Sequence, residues 1–379
     1  MKETLMQLAK ELIACPSITP EDAYCQTIIQ KRLRSLGFQC ESMFFSNTTN
    51  LYARFGDQSP LLLFLGHTDV VPPGKLTDWQ SPPFEPTIRE NTLYGRGAVD
   101  MKGALAAMVI AAENLIHKHH ALKGSLAFLI TSDEEGDACN GTKRVVETLE
   151  ARNEKSDYCI VGEPCSNELI GDEIIIGRRG SLHGTLIIHG QQGHIARPHL
   201  AKNPIHMSLL LLDELARMSW DEGDKHFPPT SFQISNIHSG EGVLNMIPGH
   251  LSCLFNFRFS AQHLPHQLQE RVEKILHQYG VAFDLSWKTT ALPFLSHQGQ
   301  LLAVMQDEIQ KEQGIVPQLS TSGGTSDGRF IVPTGAEVVE LGLSRKTAHH
   351  INECVPIDDL ITLSMLYERI AERLLMGHA

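Results

Sequence analysis

The chain has 379 residues, of which 42% are hydrophobic and 20% charged, so it has ordinary globular composition and a length that predicts two domains or more. A formal net charge of −12 argues against sequence-independent binding to nucleic acid or to an anionic membrane surface. We expect the eight scattered cysteines to be reduced thiols, because none forms a Cys-x-x-Cys pair. No export signal or membrane-length apolar segment is visible, so we expect a cytoplasmic protein that does not enter a membrane.

The N-terminal segment predicts an amphipathic helix with Leu5, Leu8, Leu12 and Ile13 on one face. A second helix is predicted to be capped by the Thr-Pro-Glu of residues 19–21 and to run to residues 36–37. Beyond it, apolar runs of strand length alternate with helical segments, including an alanine-rich helix over 101–117, which is typical of an α/β layer architecture. Polar residues follow four of these runs, namely 61–65, 125–131, 158–161 and 338–341.

The pattern changes between about residues 181 and 290. Alternating strands are predicted at 185–189, 231–237 and 251–259, with helices near 203–218 and 265–279. We interpret this part as an inserted α+β domain. The predicted domains are therefore a discontinuous catalytic domain, 1–180 with 292–379, and an inserted domain, 181–291.

Residues of metal-ligand type occupy four loops that follow or lie between the apolar runs, and a fifth loop near the C-terminus: 66–69, 97–100, 132–136, 161–164 and 349–353. In open α/β sheets ligands collect beyond the carboxyl ends of strands, so these loops are expected to converge. Imidazole and carboxylate groups without thiolate suit catalytic zinc. We predict that two metal ions are held by His67, Asp100, Glu135, Glu163 and His349, with Asp100 between them.

The adjacent carboxylates Glu134 and Glu135 are expected to divide their roles, because both cannot easily bind one ion and leave a mobile proton carrier. With Glu135 as ligand, Glu134 is the predicted general acid and base. Asp69 lies two residues after His67 and is expected to accept the second ring proton of that histidine. Any one of these features alone is more often a solvated polar loop, and the prediction depends on their joint occurrence.

Residues 66–74, 94–103 and 161–164 resemble the two-zinc peptidase and deacylase superfamily that includes aminoacylases and acetylornithine deacetylase. The resemblance covers nearly the whole chain. It implies a zinc-peptidase-like α/β/α catalytic domain with an inserted α+β dimerisation or lid domain. It also implies a homodimer and two Zn²⁺ per subunit, with cobalt or manganese as alternatives in the second site.

Residues 177–181, 193–194 with 198–204, and 322–330 resemble the bacterial members of that superfamily that act on a succinylated diamino acid. The implied reaction is hydrolysis of N-succinyl-LL-2,6-diaminopimelate to succinate and LL-2,6-diaminopimelate, in lysine and cell-wall precursor biosynthesis. The resemblance implies the same metal ligands and the same role for Glu134. It further implies that His194 reaches across from the partner subunit to stabilise the oxyanion, and that this dicarboxylate-type substrate contacts Arg178, Asn245, Arg258, Gly324 and Thr325.

One departure concerns residue 345, where the superfamily usually has asparagine and this chain has Arg345, followed by Lys346. We expect residue 345 to lie near the substrate, so the added charges could alter the preference for the acyl group or the amine.

Three alternatives remain open at this stage. A serine hydrolase is suggested by the Gly-x-Ser-x-Gly pattern of residues 324–328, although no strand is predicted to run directly into that turn. A related zinc deacylase, such as acetylornithine deacetylase, would use the same centre on another acyl group. A metal-dependent binding protein on the same scaffold would have no use for an unligated Glu134.

Overall fold

The computed structural model describes residues 2–377, which form two compact units. The first unit contains the described residues of Met1–Ile176, Leu295–Ser320 and Ser326–Ala379, and the second contains Gly177–Phe294 and Thr321–Thr325. The predicted inserted domain, 181–291, lies within the second unit. Residues 321–325, which we had assigned to the catalytic domain, are grouped with the second unit instead.

Helices and strands alternate through much of the described chain. The α-helices are α1 Lys2–Ile13, α2 Cys25–Ser35, α3 Lys102–His119, α4 Thr142–Ala151, α5 Pro204–Arg217, α6 Pro265–Gln278, α7 Gln300–Gln313, α8 Gly328–Ile331 and α9 Ile357–Met376. The strands are β1 Gln39–Phe45, β2 Thr48–Phe55, β3 Leu61–His67, β4 Thr87–Arg89, β5 Thr92–Tyr94, β6 Ser125–Thr131, β7 Tyr158–Val161, β8 Glu173–Ile175, β9 Gly177–Arg178, β10 Gly180–His189, β11 Gly193–His194, β12 Ser231–Ser239, β13 Met246–Ile247, β14 His250–Phe259, β15 Ala282–Ala291, β16 Phe294–Leu295, β17 Gln318–Ser320, β18 Glu337–Glu340 and β19 Cys354–Pro356. Short 3₁₀ turns occupy Leu76–Asp78, Pro198–Leu200, Val332–Thr334 and Arg345–Thr347.

The first unit is built on an eight-stranded sheet in the order β1-β2-β6-β3-β7-β18-β8-β17. Its central strands β6, β3, β7 and β18 are mutually parallel. Every residue of β3, β6 and β18 is buried, as expected for parallel strands covered on both faces. Because parallel strands end at the same edge of a sheet, the loops that follow these four strands emerge together.

Alternate residues of the central strands enter two different hydrophobic cores. Leu62 and Phe64 of β3 pack in a core with helices α1, α2, α3, α7 and α9. Leu63 and Leu65 pack in a second core with α4 and α8. Since side chains alternate across a strand, the two cores lie on opposite faces of the sheet. This α/β/α layering confirms the predicted fold class.

The start of α3 packs closely against the ends of β3 and β7, because a glycine lies at each contact. A β-carbon on Gly66 would lie 2.4 Å from the Met101 methyl carbon, and one on Gly162 would lie 2.5 Å from the same atom. Any larger residue would therefore displace Met101. The neighbouring Asp100 is held close to the strand ends by the same packing.

The second unit contains an antiparallel four-stranded sheet in the order β12-β14-β10-β15. One face packs on α5 and α6 through an aromatic cluster that includes Trp220, Phe232, Phe255 and Phe257. No strand is predicted at β15, although Phe283, Leu285 and Trp287 alternate along it with polar residues and pack against the same core.

The second helix begins later than predicted. The structure starts α2 at Cys25, and residue Tyr24 before it has a positive φ of 69°. Both carboxylate oxygens of Asp22 accept the Gln26 amide, at 3.1 and 3.2 Å, and one also accepts the Thr68 hydroxyl at 2.7 Å. Asp22 is thus the side chain that caps this helix, and Thr19 lies outside it. Among the described residues, no helix is both long and apolar enough to cross a membrane.

Candidate metal centre

The predicted ligands occupy the edge of the first-unit sheet where its parallel strands end. His67 is the last residue of β3, and Glu163 follows β7 by two residues. Glu135 lies in the loop after β6, and Asp100 lies two residues before α3. His349 follows β18 and a 3₁₀ turn. The structure therefore brings all five predicted ligands into one unit.

Each of these five side chains lies within 3.3 Å of at least one other. His67 Nε2 is 3.2 Å from Asp100 Oδ1 and 3.3 Å from Glu163 Oε1. His349 Nε2 is 2.9 Å from Glu135 Oε1 and 3.2 Å from Asp100 Oδ2. The two oxygens of Asp100 thus face two different histidines, and each histidine has a further carboxylate beside it.

These residues form groups that can hold a metal ion. Two groups of three residues each place their ligand atoms within 4.8 Å of one another. One group is His67, Asp100 and Glu135, and the other is His67, Glu134 and Glu163. His67 Nε2 and Asp100 Oδ1 are also buried without a hydrogen-bond partner. Buried polar atoms are rarely left unpaired in proteins, so this pair suits a cation placed between them.

The electrostatics of the centre favour positive charge. Hydrogen bonds to Asp100 and Glu135 raise the pKa of His349 to about 10. Burial opposes a charge on His67, but the carboxylates of Asp100 and Glu163 beside its ring outweigh burial and raise its pKa well above the ordinary value. Burial raises the pKa of Glu163 to about 7. Protons on the histidines thus occupy the positions where metal cations would balance the carboxylates.

Asp69 contacts the second ring nitrogen of His67 through its main-chain oxygen. His67 Nδ1 is hydrogen-bonded to the main-chain oxygen of Asp69 at 2.8 Å, whereas the Asp69 carboxylate is 3.6 Å away. That carboxylate accepts the amides of Glu134 at 3.3 Å and Glu135 at 3.1 Å. The turn after His67 directs the carbonyl at the ring, which leaves the carboxylate to hold the loop that carries the two glutamates.

The carboxyl group of Glu134 lies beside His67 and Glu163. Burial, reinforced by the negative charge of Glu163, raises the pKa of Glu134 well above the ordinary value. Its loop is also fixed from the other side, because Asp133 accepts the amides of Cys139 and Asn140 at 3.0 and 2.9 Å. Glu134 is therefore a protonatable group held at a fixed position next to the ligands.

The predictions assigned no role to Glu353, which belongs to the same centre. It is fully buried, and its carboxylate accepts the side chain of Arg96 at 2.8 Å and the amides of Gly97, Val99 and Asp100 at 2.9, 2.8 and 3.1 Å. The only signal in the sequence was an acidic residue four positions after His349.

Three of the predicted substrate residues meet within the second unit. The buried Arg178 side chain donates to the Ser322 carbonyl at 2.8 Å, which places it against the loop that contains Gly324 and Thr325. Gly323 has a φ of +99°, and a β-carbon there would lie 2.3 Å from Arg178 Nη1. Only glycine fits at this close approach.

The two remaining substrate residues, Arg258 and Asn245, and the predicted oxyanion donor His194 also lie in the second unit. Arg258 is half-buried on β14, and burial followed by the charge of Arg179 lowers its pKa. His194 is exposed, and its Nδ1 accepts the Ala196 amide at 3.0 Å. Asn245 lies on the facing segment, where its carbonyl accepts the Ile195 amide at 3.1 Å.

Arg345 is bound by side chains of the first unit. Its guanidinium donates to both carboxylate oxygens of Glu173, at 3.2 and 2.7 Å, and to the side chain of Asn167 at 2.7 Å. Lys346 pairs with Glu168. These acidic partners, more than 170 residues earlier in the chain, bind both cations, and a position of Arg345 near the substrate stays a prediction.

The serine of the Gly-x-Ser-x-Gly pattern is not displayed as a nucleophile. Ser326 is fully buried and its hydroxyl donates to the Glu340 carboxylate at 2.5 Å. A nucleophile elbow presents its hydroxyl at an exposed sharp turn that follows a strand directly. Here β17 ends at Ser320, several residues earlier.

Comparisons with known proteins agree with this description. The model of peptidase family M20/M25/M40 matches residues 63–373. A succinyl-diaminopimelate desuccinylase of Shewanella piezotolerans is 55% identical over 371 residues, which cover 98% of this chain and 97% of that protein. A protein of the same name from Alkalilimnicola ehrlichii is 53% identical over 375 residues, or 99% of this chain and 100% of the relative.

Solved structures share the fold at lower identity. An M20 family metallo-carboxypeptidase from Sulfolobus solfataricus superposes with a TM-score of 0.82 at 19% identity, over 97% of this chain and 98% of that one. A Bacillus subtilis protein described as a dinuclear metal binding peptidase of the M20 family has a TM-score of 0.73 at 16% identity, over 99% and 98% of the two chains.

Proposed function

Because the chain belongs to peptidase family M20/M25/M40, we propose that it is a metal-dependent amide hydrolase that converts N-succinyl-LL-2,6-diaminopimelate to succinate and LL-2,6-diaminopimelate. The substrate is proposed from the name shared by relatives that are 53–55% identical over nearly the full chain. The main observation in support of metal-dependent hydrolysis is the position of Asp100. Its two carboxylate oxygens each face a different histidine of one ligand cluster.

The ligand set fits a pair of metal ions, which we propose to be zinc, with cobalt or manganese as alternatives in the second site. His67, Asp100 and Glu163 would hold one ion, and Asp100, Glu135 and His349 the other. When bound, such a pair lowers the pKa of a shared water and polarises the substrate carbonyl. The absence of thiolate from the ligand set suits this catalytic use.

Glu134 is the residue that moves the proton. It lies beside the ligands without being needed as one, and its loop is fixed by Asp69 and Asp133. As a base it removes a proton from the attacking water, and as an acid it returns the proton to the departing amine. A raised pKa suits both directions of transfer near neutral pH.

Substrate recognition is assigned to residues of the second unit. The substrate carries several carboxylates, and guanidinium groups such as Arg178 and Arg258 can bind a carboxylate through two hydrogen bonds. Asn245, Gly324 and Thr325 supply further polar contacts. His194 accepts the Ala196 amide on Nδ1, so its proton resides on Nε2, from which it can donate to the carbonyl oxygen as negative charge develops there.

We propose that His194 serves the partner subunit of a homodimer. The second unit exposes a set of large apolar side chains, of which Leu244 is 94% and Leu210 71% accessible, together with Leu209, Ile195 and Leu200. Strand β12 lies at one edge of its sheet and contacts α5, the helix that carries Leu209 and Leu210. An exposed apolar surface beside an edge strand is typical of a subunit interface.

The proposed compartment is the cytoplasm, which suits cysteines that are all free thiols.

The test is hydrolysis of N-succinyl-LL-2,6-diaminopimelate by chelator-stripped protein that is titrated with zinc, run beside N-acetylornithine. We expect activity to return as zinc approaches two equivalents, with strong preference for the succinyl substrate. Activity on the acetyl substrate alone would support the proposed mechanism but show that the proposed substrate is wrong. Full metal occupancy without turnover on either substrate would instead favour a binding protein.

A further inference from the structure

The Glu353 carboxylate has a full complement of hydrogen bonds although it lies outside the ligand set. Oε1 accepts the amides of Val99 and Asp100, and Oε2 accepts the amide of Gly97 and the side chain of Arg96. Each oxygen therefore receives two donors. Three of these four donors are main-chain amides of the segment that ends at Asp100, so Glu353 fixes the backbone from which that ligand projects.

The same residue is tied to the loop of His349. The Glu353 main-chain oxygen accepts the Gly95 amide at 3.0 Å. Arg96, which is bound by the Glu353 carboxylate, also donates to the carbonyls of His350 at 3.2 Å and His349 at 3.5 Å. Strands β19 and β5, which pair antiparallel, extend this connection away from the centre. The loops of Asp100 and His349 are thus joined through one buried ion pair.

We propose that Glu353 is a positioning residue that sets the distance between Asp100 and His349 and so governs the affinity of the second metal group, Asp100, Glu135 and His349. The inference rests on the proposed metal pair. Two of the three ligands of that group lie on the loops that Glu353 joins. The first group, His67, Asp100 and Glu163, has only Asp100 there.

The two groups should therefore respond differently when Glu353 is changed. Glu353→Gln keeps the size of the side chain but replaces one oxygen by an amide NH₂, which faces two N–H donors instead of accepting from them. Mutation of a residue that orients a metal ligand typically lowers metal affinity by about 10–100-fold. We expect a loss of that size for one of two zinc equivalents, and a much smaller loss for the other.

The experiment is calorimetric titration of the chelator-stripped full chain with zinc alone. His349→Ala removes a ligand of the second group, so the equivalent that it abolishes identifies the transition to follow. Glu337→Gln is the matched control. Glu337 is as buried as Glu353 and accepts the amides of Gly299, Leu301 and Leu302. It lies at the start of β18, at the opposite end of the strand from the loop that leads to His349.

Both glutamine variants should lower the unfolding temperature, and only Glu353→Gln should weaken zinc binding. Unchanged zinc binding in Glu353→Gln, or equal weakening of both equivalents, would overturn the proposal. If Glu353→Gln does not fold, Arg96→Lys, which retains the charge but loses the links to the His349 loop, should weaken the same equivalent. A wild-type chain that binds fewer than two equivalents would contradict the proposed function instead.

Discussion

Asp69 is joined to His67 through its main-chain carbonyl, at 2.8 Å from Nδ1, while its carboxylate holds the amides of Glu134 and Glu135. Asp69→Asn should therefore leave His67 in place and disturb the glutamate loop, because one carboxylate oxygen becomes a donor that faces an amide. We expect turnover to fall by about 10–100-fold. Zinc titration should show weaker binding only of the equivalent that Glu135 helps to hold. Loss of both equivalents, as expected for His67→Ala, would show that the carboxylate acts on His67 as well.

Replacing Glu134 tests the proton carrier directly. Glu134→Gln keeps the shape of the side chain and removes its ability to exchange a proton. General acid-base catalysis contributes about 10²–10⁴-fold, so kcat should fall by that factor. The KM for the succinyl substrate and the zinc content should change little, since Glu134 is not a proposed ligand. Near wild-type turnover would remove Glu134 from the mechanism.

Metal binding should release protons. In the metal-free protein the pKa of His349 is about 10 and that of His67 is also raised, so both rings carry an extra proton at pH 7. A metal needs the neutral ring, so apparent zinc affinity should rise with pH from neutral pH to about pH 10, where His349 loses its proton. Below about pH 7 the rise should be steeper, because Glu163 is protonated there as well.

The measurement is zinc calorimetry in buffers of different ionisation enthalpy, which gives the number of protons released. His349→Ala should release about one proton fewer than the wild type at pH 7. An affinity independent of pH would mean that the histidines are already neutral in the metal-free chain.

The sequence was sufficient to predict what depends on local pattern and strand order. The apolar run that begins at Leu61 marks a buried strand, and a ligand at its end meets the ligands of neighbouring parallel strands. Contacts between residues far apart in the chain could not be predicted in this way. Glu353 binds amides more than 250 residues earlier, and Glu173 binds Arg345 across 172 residues. The sequence also could not predict whether the carbonyl or the carboxylate of Asp69 contacts His67, because this depends on backbone dihedral angles.

Arg345 should matter for stability more than for specificity. Arg345→Asn removes the two bonds to Glu173, whose side chain is buried, whereas Asn167 retains its own bond to that carboxylate at 2.8 Å. The Arg345 side chain is 37% exposed, so we expect a loss on the order of 1 kcal/mol in the free energy of unfolding. The ratio of kcat/KM for succinyl and acetyl substrates should be unchanged. A shift of that ratio towards either substrate would place Arg345 in the binding site.

The assignment of His194 to the partner subunit can be tested by mixing two inactive variants. Glu134→Gln lacks the proton carrier, and His194→Ala lacks the proposed oxyanion donor. If His194 acts across the dimer, a mixed dimer has one site with an intact Glu134 that receives an intact His194 from the other subunit. Random exchange should then restore about a quarter of wild-type turnover, because half of the dimers are mixed and each has one complete site.

No recovery is expected if His194 acts within its own subunit, because every site in a mixed dimer then lacks one residue. Subunit exchange is checked by light scattering and by a purification tag on one variant. Leu210→Glu serves as the interface control, because a charge on this exposed leucine should separate the subunits and abolish recovery when it is present in both variants. Recovery that persists with monomeric Leu210→Glu variants would contradict both the dimer and the role of His194 across it.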